Sequence, residues 1–190
     1  GITVPEARVM QIGGGYHTFM VKRFDRVGAA RRFFASAMTM TGNQDSEDAS
    51  YLELAEFIAT WGEPDHINHD LAELFTRVVF NVATANRDDH LRNHGFMRTP
   101  AGWRLAPAFD MNPSFKKGEH ALALDLYNRQ PDISVVLATA GYYRLDLNRA
   151  EKIISDTGKV IAGWKTRARK LGLSAHAVAE AEHLFLSLNH

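Results

Sequence analysis

The 190-residue chain contains no cysteine. Disulfides, iron–sulfur clusters and thiolate zinc sites are therefore excluded, and a cytoplasmic location is expected. Neither sign of charge is in surplus, because 22 basic residues balance 22 acidic ones. Strong non-specific nucleic-acid binding usually needs a basic excess, so none is expected, although a local basic patch stays open. No apolar run approaches the roughly 18–20 residues of a membrane span, and no membrane association is expected. The opening "GITVPEARV" has neither the basic leader nor the apolar core of a signal peptide. It starts with Gly rather than Met, which reads as a cut or processed piece of a longer polypeptide. What is present, 45% hydrophobic and 23% charged residues, suits one globular domain with a sizeable core.

"ARVMQIGGGYHTFMVKRF" alternates loosely around three glycines, which predicts strands over Ala7–Ile12 and Tyr16–Lys22 joined by a Gly13–Gly15 turn. These glycines do not precede a helix and lack a following Gly-Lys-Ser/Thr, so they make a poor phosphate loop. Residues 36–50 read as a polar loop. Ser50 and Glu53 form a capping-box pattern ahead of the helix "YLELAEFIATW", which should stop near Gly62-Glu63-Pro64. A second helix is expected over Ile67–Asn86, with Leu71, Leu74, Phe75, Val78 and Val82 on its buried stripe and Asp65 or Asn68 as its cap. Short strands over His94–Arg98 and Trp103–Ala106 should flank a turn at Pro100-Ala101-Gly102. Helices are then expected over Ile133–Ala140, Asn148–Leu171 and Ser174–Leu188, the second of these ending at Gly172 with Lys165, Arg167, Arg169 and Lys170 complementing its dipole. Segregated strands and helices give an α+β class.

The stretch "ATANRDDHLRNHGF", residues 83–96, carries most of the chemistry. Asp88 and Asn93 lie five residues apart, and Asp110 follows Asn93 by seventeen, across the expected hairpin. A hairpin returns its ends to one place, so two carboxylates and an amide oxygen can converge. Hard oxygen donors suit Mg²⁺ held together with substrate phosphates. Kinases use this spacing for phosphoryl transfer: a loop Asp orients the acceptor hydroxyl, an Asn five residues on holds metal, and an Asp beyond a hairpin holds metal as well. "APAFDM" stands where many protein kinases have Asp-Phe-Gly, with the Phe before the Asp and no Gly after it.

In "GITVPEARVMQI", "MVKRFDR", "NVATANRDDHLRNHGF" and "WRLAPAFDM", ordered and spaced from residue 1 to about residue 112, the chain resembles the C-terminal part of the HipA-type serine/threonine kinase toxins. The resemblance implies a mostly helical, protein-kinase-like large lobe with a short N-terminal β-hairpin at its hinge. Residues 1–26 would be hairpin and hinge and 27–190 the helical lobe. It implies ATP and Mg²⁺ as cofactors, with Asp88 as the acid/base-type residue, His90 and Arg92 near the phosphates, and Asn93 and Asp110 as Mg²⁺ ligands. Backbone groups of Lys22, Arg23 and Phe24 would meet adenine. It further implies a protein substrate such as an aminoacyl-tRNA synthetase, autophosphorylation, and a small DNA-binding antitoxin as partner. Within the loop, Asp89 replaces a Gly of some relatives and Arg92 replaces a Lys. The phosphate-covering loop and strand lysine that a kinase needs have no counterpart in these residues. A preceding N-terminal lobe is therefore expected outside this chain, and the isolated chain is expected to be inactive.

Two other classes compete. A metal phosphohydrolase of the H…HD…D type could use His66, His69, Asp70 and Asp88 or Asp110, and a non-catalytic kinase-like binding module could scaffold a partner. "RFDR", Arg23 to Arg26, reads as a charged staple from hinge to large lobe, and Trp103 and Phe109 as packing that flanks Asp110.

Overall fold

The computed structural model describes residues 1–14 and 16–188. Gly15, part of the expected turn, lies outside the described residues. Strands β1 (Ala7–Gly13) and β2 (Tyr16–Val21) pair antiparallel with an irregularity between Gln11 and Gly13. Gly14 takes the left-handed conformation, φ 57°, that such a turn requires. Lys22 donates its N–H to the carbonyl of Glu6 at 2.8 Å, closing the hairpin's open end. A second small hairpin, β3 (Arg26–Val27) and β4 (Ala30–Arg31), follows.

Strand β5 (Phe34–Ser36) leads into a one-turn helix α1 (Ala37–Thr41). Helix α1, together with Ser36 at the end of β5, lies where the sequence suggested loop. Ser36 caps α1 by accepting from the N–H of Thr39 at 3.2 Å, and Gly42 ends it at φ 77°. Five residues are too few for a periodic pattern to register. Helix α2 (Tyr51–Trp61) begins as expected: the Glu53 carboxylate accepts from the N–H of Ser50 at 3.0 Å.

Helix α3 (Ile67–Ala83) is the central element, packed on α2 and covered by C-terminal helices. Leu71, Leu74, Phe75, Val78 and Val82 are all buried, as the periodicity predicts. Neither Asp65 nor Asn68 caps it; Asp65 belongs to a 3₁₀ turn at Pro64–His66 that runs directly into the helix. Its end also departs from expectation, at Ala83 rather than Asn86. Ala85 adopts φ 55°, Asn86 donates its N–H back to Asn81 at 2.9 Å, and Ala85 donates to Val82 at 3.4 Å. This is a Schellman stop in which Ala occupies the position usually held by Gly.

Strands β6 (Gly95–Thr99) and β7 (Gly102–Leu105) form the expected hairpin, and β5 adds to it in the order β5-β6-β7. Gly95 permits this pairing, since a Cβ there would fall 2.3 Å from the Phe34 ring. Trp103 packs on Phe33 and Phe57, with Arg98 over its ring at 5.6 Å. It therefore belongs to the far end of the hairpin and does not flank Asp110.

Helix α4 (Ile133–Ala138) ends before a 3₁₀ turn at Ala140–Tyr143. The long helix expected over Asn148–Leu171 divides at Gly163 into α5 (Leu147–Ala162) and α6 (Trp164–Lys170). The break lets Trp164 stack on Phe185 at 4.3 Å. Gly172, at φ 89°, ends α6, and α7 (Ala175–Glu182) is shorter than the pattern suggested. No described helix is long and apolar enough to cross a membrane.

Candidate active site

The polar loop between α3 and β6 is anchored by one buried carboxylate. Asp89 is 2% exposed and accepts hydrogen bonds from the Tyr51 hydroxyl (2.6 Å), the Asn81 amide (2.6 Å) and His94 Nε2 (2.7 Å). Asn86 donates to Asn81 Oδ1 at 3.1 Å and extends the network to the Schellman stop. Burial alone would raise the Asp89 carboxyl. The adjacent His94 and the Tyr51 hydroxyl outweigh burial and hold it below the usual carboxylate range. Burial and the Asp89 charge push Tyr51 well above the ordinary tyrosine value, so it remains a donor. The loop is thus fixed from beneath, at the N-terminus of α2, the last turns of α3 and the start of β6.

Around this anchor the residues expected to carry chemistry differ in exposure. The Asp88 carboxylate is exposed and ion-paired with Lys117. Asn93 is buried; its amide donates to the Asp88 carbonyl at 3.4 Å, and its Oδ1 has no partner among the described residues. His90 is half-buried, with Nδ1 unpartnered among the described residues. Arg92 is exposed and reaches the Met38 sulfur at 3.8 Å.

Asp110 arrives by the hairpin. The last backbone bond joins the Ala106 N–H to the Gly95 carbonyl at 2.9 Å. Asn93 stands two residues before Gly95, and Asp110 four after Ala106. Beyond it, Ser114 donates to the Ala85 carbonyl at 2.8 Å and returns the chain to the end of α3. Asp110 is exposed and adopts φ 57°, a left-handed conformation for a non-glycine residue. One carboxylate oxygen accepts from Asn112 at 2.7 Å. Free carboxylate and amide oxygens on Asp110 and Asn93 are the hard donor set that Mg²⁺ takes.

The expected hinge reaches the same place. Phe24 stacks on Phe109, beside Asp110, at 5.9 Å, and meets Phe34 edge-on at 5.5 Å. Arg23 forms a bidentate pair with Asp25 at 2.8 and 2.6 Å. The Arg23 and Asp25 charges therefore close on each other, and the contact of Phe24 with the lobe is aromatic. Lys22 is exposed beside Glu6, with its backbone N–H already committed.

The rival phosphohydrolase loses its central ligand. Asp70 is buried and gripped by Arg104 at 2.9 and 3.0 Å, with the Leu105 N–H at 2.9 Å. These bonds outweigh the burial that would raise its carboxyl and hold it below the usual range. Asp70 is a clamp between α3 and β7, and His69 and His66 pair with Asp70 and Glu63.

Four contributors were not visible in the sequence. Tyr51 and Asn81 support Asp89 from helices that read as ordinary amphipathic segments. Lys117 reaches Asp88 from a stretch, "SFKKGEH", with no motif. His120 is buried near Arg87 and Asp89, with neither ring nitrogen partnered among the described residues.

Comparison with known proteins agrees with this architecture. The chain superimposes on a chain of the Shewanella oneidensis MR-1 toxin–antitoxin HipA, HipB and operator DNA complex with a TM-score of 0.73 and 18% identity, covering 98% of this chain and 50% of that one. The Helicobacter pylori proinflammatory kinase CtkA gives a TM-score of 0.57 at 14% identity, over 96% and 75% of the two chains. At the sequence level, "Putative kinase Y4dM" of Sinorhizobium fredii (strain NBRC 101917 / NGR234) is 24% identical over 92% of this chain and 47% of its own length. The chain thus spans about half the length of this relative and of the HipA-complex chain. A profile of the HipA-like C-terminal domain matches residues 1–164, and the chain belongs to that family.

Proposed function

We propose that the chain carries the catalytic loop of a HipA-like protein serine/threonine kinase that transfers the γ-phosphate of ATP to a protein hydroxyl. The observation that supports this reading is a loop locked from below by Asp89, with the Asp88 and Asp110 carboxylates exposed and the Oδ1 of the buried Asn93 without a partner among the described residues. Asp88 accepts the acceptor's hydroxyl proton and aims its oxygen. Asn93 and Asp110 are the residues that would hold Mg²⁺, which when bound neutralises phosphate charge. The Lys22–Phe24 segment borders the adenine side, docked by Phe24 on Phe109. His90 and Arg92 lie on the phosphate side of the loop. By analogy with its relatives, the protein works in the bacterial cytoplasm within a toxin–antitoxin pair, with a small DNA-binding antitoxin as partner and a protein such as an aminoacyl-tRNA synthetase as substrate. As the chain spans about half of the Sinorhizobium relative and of the HipA-complex chain, elements needed to close over ATP are assigned to residues outside these 190.

The test uses the full-length gene product. Asp88→Asn should abolish phosphate transfer from ATP while leaving Mg·ATP affinity, read by calorimetry, within about threefold. Asn93→Ala and Asp110→Asn should each weaken Mg²⁺-dependent ATP affinity and be non-additive when combined, because they share one ion. Strictly additive effects, or normal affinity in both, would refute the shared-ion assignment. Equal loss of binding and transfer in Asp88→Asn would refute its role.

A further inference from the structure

Lys117 is held over Asp88 by more than their mutual attraction. The segment that carries it is bound to the end of α3 on both sides: Ser114 donates to the Ala85 carbonyl at 2.8 Å, and Ala121 donates to the Arg87 carbonyl at 3.0 Å. Between these two bonds, the Arg87 guanidinium donates to the carbonyl of Lys117 itself. Three contacts thus converge on the residues just before Asp88, and the Lys117 ammonium meets the Asp88 carboxylate. Both side chains remain about half exposed, at 49% and 59%. Exposed pairs of this kind contribute little to stability. The arrangement therefore makes poor sense as a fold staple and better sense as a placed charge.

A second observation removes the obvious competitor. Arg92, the cation within the loop motif, points to the Met38 sulfur at 3.8 Å. Lys117 is the basic side chain that forms an ion pair with Asp88 among the described residues.

We propose that Lys117 is a further catalytic residue of the phosphotransfer, bridging Asp88 and the transferring phosphoryl group. This rests on the kinase reading given above. In the step, the acceptor hydroxyl oxygen forms a bond to the γ-phosphorus. The bond from that phosphorus to the β,γ-bridging oxygen breaks, and ADP leaves with the electron pair. The hydroxyl proton passes to Asp88. Lys117 keeps its proton throughout and supplies positive charge to the equatorial oxygens as their charge spreads. Its long flexible stem lets the ammonium lean from carboxylate to phosphoryl without moving the backbone. Charge placed where it develops stabilises the transition state more than the ground state.

The test compares the full-length protein with Lys117→Met, which keeps the stem, and Lys117→Arg, which keeps the charge. Calorimetry measures affinity for Mg·ATP and for Mg·ADP with aluminium fluoride, a mimic of the transferring group. Label from γ-phosphate-labelled ATP is followed into dephosphorylated casein and into the protein itself. Lys117→Met should leave Mg·ATP affinity within about threefold, weaken the mimic at least tenfold, and slow transfer by roughly 100-fold. Lys117→Arg should recover most of both losses. Melting temperatures should stay close to wild type, because the pair is exposed. Unchanged mimic affinity and transfer in Lys117→Met, or equal weakening of ATP and mimic, would overturn the assignment alone. A wild-type protein that binds Mg·ATP but transfers no phosphate, or binds no Mg·ATP, would overturn the kinase reading and this proposal with it.

Discussion

His120 makes stability depend on pH in a defined window. It is 2% exposed beneath the loop, and neither ring nitrogen has a partner among the described residues. Burial depresses its pKa from 6.5 to about 4, and the Arg87 charge adds to this; Asp89 and the Asn86 carbonyl oppose it without prevailing. Between those two pH values the unfolded chain binds a proton that the folded chain refuses. Stability therefore falls as pH drops from 6.5 towards 4, by up to 1.36 kcal/mol per pH unit, or roughly 3 kcal/mol over the window. Asp89 acts lower. Its folded carboxyl lies below its unfolded value, so its stabilisation is present above about pH 4 and is lost as pH falls through the folded value. Urea unfolding in steps from pH 7.5 to 4, on wild type and His120→Gln, separates the two. Wild type should lose roughly 3 kcal/mol more than the variant between pH 7 and 4. Equal slopes would show that His120 is protonated, or reached by solvent, in the folded state, and would refute the argument.

Asp89→Asn should be costly although it removes no atom of bulk, because it breaks a buried pair with His94 and disturbs the bonds from Tyr51 and Asn81. A loss of about 3–5 kcal/mol, or roughly 10 °C in melting temperature, is expected by calorimetry, and a shift under about 2 °C would contradict the buried-anchor role. Asp110→Gly should behave oppositely. Glycine tolerates the left-handed backbone at φ 57°, so stability should change by less than about 1 kcal/mol in chemical denaturation, while Mg²⁺-dependent ATP affinity is lost.

What the sequence discloses and what it hides divides along the range of the interactions. The α2 start was legible because Ser50 and Glu53 contact each other three residues apart. The buried stripe of α3 was legible because helical period alone sets it. The hairpin β6–β7 was legible from Pro100-Ala101-Gly102. The Ala85 stop was hidden, since the usual glycine is missing and the conformation is set by the loop that follows. The clamp of Asp70 on Arg104 spans 34 residues and that of Tyr51 on Asp89 spans 38. No local pattern announces either. Lys117 was hidden for the same reason, lying 29 residues from its partner. The motif thus offered the candidate site groups, while the groups that hold the loop came from distant parts of the chain.

That division has a physical basis in how the loop bears strain. Ala85 and Asp110, two of the three left-handed non-glycine residues among the described residues, stand on either side of the loop and its hairpin. Such positions cost about 1 kcal/mol or more each and persist only where the surroundings over-determine them. Ala85 is over-determined by the Schellman bonds at Asn81 and Val82 on one side and by Ser114 on the other. Asp110 is held between the aromatic contact of Phe109 with Phe24 and that same Ser114 bond. One hydrogen bond, from Ser114 to Ala85, therefore couples both strained residues. The segment running on from Ser114 is the one that carries Lys117 to Asp88. Displacing it would release the constraint on Ala85, on Asp110 and on Lys117 together, so the proposed proton acceptor, metal ligand and phosphoryl-facing cation are positioned as a unit.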